Sequence, residues 1–310
     1  MLKGSCAFLY AWAGDGFEFV TDMMWKSALG MPLGIMAGEV AYAPPDPSLE
    51  YVRLPAGLPA ERDGGYEIRI TEELWEVAYL DALELVAVDH PVDVQLYVDE
   101  AFGLPAVPNE RIYAVRDPRP AETVVDGGGR RRDAELAERD FRFLGGLDRG
   151  AYQGLARSHE LVLTLAGAAG RPGHLFLAGW VHPTDASLNV RMGQGGGTRV
   201  ARPRLEVPGP DGGWRELDAA IDFPSGKNKT VVVELPDGLP RQDPRVRIRT
   251  NMEIYWDAAF YTVAPVGGSF PSHRLRPVEA ELRERGFSRQ FRRGGRYGPH
   301  WFDYDDVAAA

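Results

Sequence analysis

The 310-residue sequence predicts an all-β protein built as two β-sandwich domains, and three observations predict it. Short segments alternate apolar and polar residues by twos, the period of a half-buried strand. Glycine (36) and proline (24) are frequent and fall between those segments. The phrases Gly-Arg-Pro-Gly, Pro-Gly-Pro-Asp-Gly-Gly and Pro-Ser-Gly have turn chemistry, and no long helical pattern separates the strands they join.

Taken in order, the first strands are CAFLYAW and, after the turn Gly14-Asp15-Gly16, GFEFVTD. YEIRIT, an apolar run from Leu74 to Val88, and VDVQLYVDEAF follow, with Ala43 to Gly65 read as loop. These make an N-terminal β domain, residues 1–104. Residues 105–157 read as a connector. It holds a short strand near Ile112, a glycine and arginine cluster from Gly127 to Arg132, and one or two helical turns from Asp133 to Phe143.

Strands resume in residues 158–263 with SHELVLTLAG, HLFLAGWVHP, SLNVRMG, RPRLEVPG, TVVVELP and VRIRTNMEIYWDAAFYTV. The last of these is too long for one straight strand, since it would span over ~50 Å. A bend is expected near Thr250-Asn251. Its even positions suit a core, while Arg247, Arg249, Asn251 and Tyr255 form a polar row. Residues 264–310 are an extended arm, basic from Arg274 to Arg296 and aromatic at its end.

A hydrophobic fraction of 44% with 26% charged residues fits a globular chain with a real core. The net charge of −10 argues against nucleic acid as a partner, because a phosphate backbone needs a basic face. Cys6 alone makes neither an intramolecular disulfide nor a cysteine-rich zinc site. No apolar run approaches the ~18 residues of a membrane span. The opening MLKGSCAFLYAW, cut off by Gly14-Asp15-Gly16, reads as a buried first strand and not as a signal peptide.

The six histidines stand at positions 90, 159, 174, 182, 273 and 300, without metal-motif spacing. Calcium is the better candidate cofactor, because hard cations want loop carboxylates: Asp15, Asp22, Asp185 and Asp257. A metal-assisted or carboxylate-based hydrolase would draw on Asp89, His90, His182 and Asp185 or Asp257. No Gly-x-Ser-x-Gly supports a serine nucleophile, and no catalytic residue is assigned. The glycine-rich Gly193 to Thr198 does not lead into a helix that could hold a phosphate. An aromatic ring beside Asn and Arg can stack on a sugar and bond its hydroxyls. Trp180, Asn189, Arg191, Arg247, Arg249, Asn251 and Tyr255 are therefore the candidate ligand contacts.

Taken together, CAFLYAWAGDGFEFVTD, HLFLAGWVHPTDASLNV, FPSGKNKTVVVELP and VRIRTNMEIYWDAAFY resemble a region near the C-terminus of large bacterial proteins. Those proteins carry FG-GAP propeller repeats, an ASPIC/UnbV segment as in cartilage acidic protein relatives, and tetratricopeptide repeats. The resemblance implies an extracytoplasmic accessory module whose propeller or repeat partner is absent from this sequence. It brings no catalytic residues. The resulting expectation is a non-catalytic module, most like galactose-binding jelly rolls, for carbohydrate or a protein surface. The alternatives are the hydrolase and a scaffold domain packed on a missing propeller.

Overall fold

The alternation becomes antiparallel sheet in the computed structural model, which describes residues 7–23, 32–42, 51–73, 82–102, 111–195, 197–217 and 221–308. Cys6, Trp25, Trp75 and the run 74–81, with its Glu76 and Asp81, lie outside the described residues.

Two sheets carry the centre of the molecule. One has four strands in the order Arg119–Pro120, Ile254–Thr262, Gly173–Val181 and Lys229–Leu235. The other has five, in the order Thr123–Asp126, Leu155–Thr164, Arg245–Met252, Arg204–Pro208 and Trp214–Glu216. Leu161, Leu163, Val246 and Ile248 of the five-stranded sheet share one core with Leu175, Leu177, Val231, Val233 and Trp256 of the four-stranded sheet. Because side chains alternate across a strand, each sheet keeps a second face that looks away from this core.

The bend expected near Thr250-Asn251 falls at Glu253, where the chain leaves the five-stranded sheet and enters the four-stranded one. Val246, Ile248, Met252, Ile254 and Trp256 face a common core across this break. The odd residues before it and Tyr255 after it therefore look out of opposite sides of the sandwich. A bulge opposite Ala178 and Gly179 then shifts the register, and Ala259 and Tyr261 continue the core.

One expected strand is a helix. SLNVRMG belongs to the helix Ala186–Gly193, because Asp185 caps it by accepting the Leu188 amide at 2.7 Å. The segment 105–157 supplies Arg119–Pro120 to one central sheet and Thr123–Asp126 to the other, with, among its described residues, a single 3-10 turn at Asp133–Glu135.

Phe17–Asp22, Ala7–Trp12 and Ile68–Glu72 make a three-stranded N-terminal sheet. Leu9, Ala11 and Val20 close one of its faces together with Ile68 and Ile70. Phe8, Tyr10 and Phe19 on the other face take Trp301 and Phe302 from the last strand, His300–Ala308. The end of the basic arm thus lies on the N-terminal sheet, and Arg293 sits 3.8 Å over the Phe141 ring. The arm also reaches the sandwich, where Tyr297 stacks on Tyr255 with centroids 5.9 Å apart.

Candidate functional site

The polar row before the break is paired within its own sheet. Arg245 bridges Asp243, and Arg247 bonds Glu206 and lies 3.5 Å from Glu160. Both guanidinium groups cover the Trp214 ring, at 5.5 and 4.6 Å from its centroid. That ring face is thereby filled by cations, the arrangement a π-system favours. Arg249 is exposed and donates to Ser158 Oγ at 3.3 Å. Asn251 binds backbone: its Oδ1 accepts the Ala201 amide at 2.7 Å and its Nδ2 donates to the Arg199 carbonyl at 2.8 Å.

The remaining ligand candidates lie elsewhere. Asn189 and Arg191 sit on the helix, where Asn189 Oδ1 accepts from Thr184 Oγ1 at 2.8 Å and Arg191 is exposed. Trp180 and Tyr255 pair across the four-stranded sheet, stacked at 5.0 Å, and both rings are buried. Trp180 Nε1 donates to the Tyr297 carbonyl at 2.9 Å. The structure brings Arg247, Arg249 and Asn251 together on one face and Trp180 with Tyr255 on another.

Beside that second pair is a polar constellation absent from the sequence reading. Glu253, 2% exposed, sits at the break between the two sheets. Its Oε1 accepts from Tyr255 Oη, and Arg149 Nε lies 2.8 Å away. Its Oε2 lies 2.9 Å from His182 Nδ1. Burial works against ionisation of Glu253, but His182, Tyr255 and Arg149 together hold its carboxyl below the ordinary range. Tyr255, buried and facing that carboxylate, is pushed up to about 12. An ionised carboxylate only accepts, so His182 Nδ1 carries a proton toward it, and the neutral imidazole in that orientation keeps its lone pair on Nε2. The imidazole is 37% exposed. The arrangement can orient a base. Its signal in the sequence was the place of Glu253 in the polar row, between Asn251 and Tyr255; Arg149, in the connector, gave no signal.

The four carboxylates considered for calcium are dispersed in function. Asp15 is exposed in the turn after the first strand, and Asp185 is the helix cap. Asp22, 1% exposed, pairs with Lys227 Nζ at 2.9 Å and accepts the Lys227 amide at 2.9 Å. Gly226 makes that approach possible: at φ +116 a Cβ there would stand 2.2 Å from Asp22 Oδ1. Lys229, also buried, donates to the Asp22 carbonyl at 2.8 Å and lies 3.9 Å from Glu100. This charged seam ties the N-terminal sheet to the sandwich, and burial raises the Glu100 carboxyl.

Asp257 is 2% exposed, and its Oδ1 has no hydrogen-bond partner among the described residues. Burial pushes its carboxyl up to about 6 against the pull of Arg139. Among the described residues, no three His, Cys, Asp or Glu side chains gather as a metal site. Of the hydrolase candidates, His182 meets a carboxylate, that of Glu253. Asp89 pairs at 3.2 Å with His273 on the exposed pairing of Leu85–Val88 with Ser272–Leu275. His90 Nδ1 lies 3.0 Å from its neighbour's carbonyl, that of Pro91.

The chain is thus an all-β protein of several open antiparallel sheets, with two of them packed on a common core and, among the described residues, no helix long and apolar enough to cross a membrane. Comparison with family models, curated proteins and solved structures found no match to it.

Proposed function

We propose that the chain is a non-catalytic β-sandwich accessory module that binds a protein surface through its C-terminal arm. One observation carries this reading. Of the eleven large hydrophobic side chains left exposed among the described residues, six lie between Leu275 and Val307, a minor part of the chain. Exposed apolar side chains gathered on one segment are the mark of an interaction surface. The carbohydrate reading has less support, because the Trp180 and Tyr255 rings are buried and the Trp214 face is taken by arginines. A sandwich of the galactose-binding jelly-roll kind, working outside the cytoplasm and seated against a propeller or repeat domain, agrees with the resemblance in the sequence.

The test is site-specific cross-linking in the source cells. An aliphatic diazirine residue at Leu282 should give discrete adducts, whereas the same residue at Val92, equally exposed but outside the arm, should not. Equal labelling from both positions would sink the proposal. So would glycan binding that vanishes in an Arg249→Ala, Asn251→Ala double variant.

A second reading, a hydrolase, has one observation in its favour: the oriented His182 beside buried Glu253. Turnover of an ester or phosphoester panel that disappears in His182→Ala would establish it; equal background rates in both proteins would remove it.

A further inference from the structure

Residues 277–286 read Pro-Val-Glu-Ala-Glu-Leu-Arg-Glu-Arg-Gly. Proline at the first position and glycine just past the last is how a helix is bracketed. Between them stand strong helix formers. Glu279 with Arg283 and Glu281 with Arg285 are four apart with the acid first, the orientation that supports a helix. Yet residues 276–286 form neither helix nor strand, and residues 271–284 are exposed throughout. Val278 and Leu282 project entirely into solvent, at 104% and 100% exposure.

A segment this short does not hold a helix alone, because nucleation costs more than two turns return. Burial of an apolar face supplies what is missing. Coiled, Val278 and Leu282 stand one above the other, four residues apart, as the anchors of a helix laid in a groove. Glu281 flanks them on one side and Glu279 on the other, so the matching groove has basic edges.

The two ends of the segment are held unequally. Arg285 lies 3.3 Å from buried Glu73, donates to Ser288 Oγ at 2.9 Å and sits 4.0 Å over the Tyr304 ring. Arg276 holds Glu84 at 3.1 Å with its side chain 84% exposed. Coiling shortens a chain from at most ~3.3 Å per residue to ~1.5 Å. The exposed Arg276 pair is the end that gives, since such pairs contribute little.

We propose that residues 277–284 are a docking element that coils into a short helix against another protein's apolar groove with a Lys- or Arg-lined rim. This rests on the arm being the binding surface. The test places the diazirine residue at Leu282 of the full chain and compares Arg283→Pro with Arg283→Gln. Proline inside the helix should cut adduct yield about tenfold or more, while glutamine should leave most of it. Glu279→Lys with Glu281→Lys should also lower the yield.

Undiminished adducts in the proline variant would overturn the helix and leave the arm as a binding surface. Unchanged adducts in the double-lysine variant would overturn the basic rim. No adduct from Leu282 in the chain without these further substitutions would overturn both proposals. Amide exchange on the free chain supplies a readout that needs no partner. Fast exchange across 277–285 is expected; protection there would show a helix already formed and overturn the coiling.

Discussion

On the outside of the five-stranded sheet, Arg245 and Arg249 stand in water while Arg247 is half-buried beside the Trp214 ring, and the three pair with Asp243, Glu206 and Ser158. On the outside of the four-stranded sheet, Phe176, Trp180, Tyr255 and Phe260 are covered. Tyr97, Tyr113 and Val115 lie over one half, and Phe141, Phe143 and Tyr297 over the other. Both faces come from the same period-two alternation. They differ in what the rest of the chain lays over them. A sheet's polar row therefore reports the absence of a cover more than the presence of a ligand.

Substitutions should separate the two faces by magnitude. The largest effect is expected from Trp180→Ala, which empties the covered side between Phe143 and Tyr255 and frees the Tyr297 carbonyl. It should cost about 3–5 kcal/mol in urea unfolding. A loss below ~1 kcal/mol would mean that the cover is loosely seated.

Next comes Asp257 on the same side. Native Asp257 holds its proton more tightly than the unfolded chain does, since burial lifts its carboxyl from 3.8 to about 6. Stability is therefore lost as pH rises through 6, and the full contribution is present only below about 4. Asp257→Asn should be more stable than the parent at pH 8, by on the order of 2 kcal/mol. That advantage should shrink toward zero near pH 4. A difference independent of pH would show that the carboxylate is better solvated than its burial implies.

The uncovered face should respond less. Asn251→Ala removes two bonds to the backbone at 199 and 201 and should cost about 1–2 kcal/mol. Arg249→Ala should change unfolding by no more than about 0.5 kcal/mol. A larger loss from Arg249 would give the exposed row a structural part that its single bond to Ser158 does not suggest.

The all-β class was legible because alternation and turn residues are local, and Ala7–Trp12, Phe17–Asp22, Gly173–Val181 and Lys229–Leu235 stand where the pattern puts them. The helix Ala186–Gly193 was misread as a strand because Leu188, Val190 and Met192 alternate with polar residues by twos, the period of a strand; the Asp185 cap was the better guide. The site was less legible. Arg247 and Tyr255 look adjacent by alternation, yet the change of sheet at Glu253 sends them to opposite outsides. Trp180 reads as a surface ring until the connector and arm are laid over it, and the arm contact links residues more than a hundred positions apart.

The packing of Phe8, Tyr10 and Phe19 against Trp301 and Phe302 has a consequence for synthesis. The first two strands leave the ribosome long before the aromatic residues that seal them are made. During that interval the central sandwich, whose strands lie within residues 119–262, has all it needs to close. Strands made before the sandwich are thus finished after it, and a holdase would find their bare aromatic face waiting.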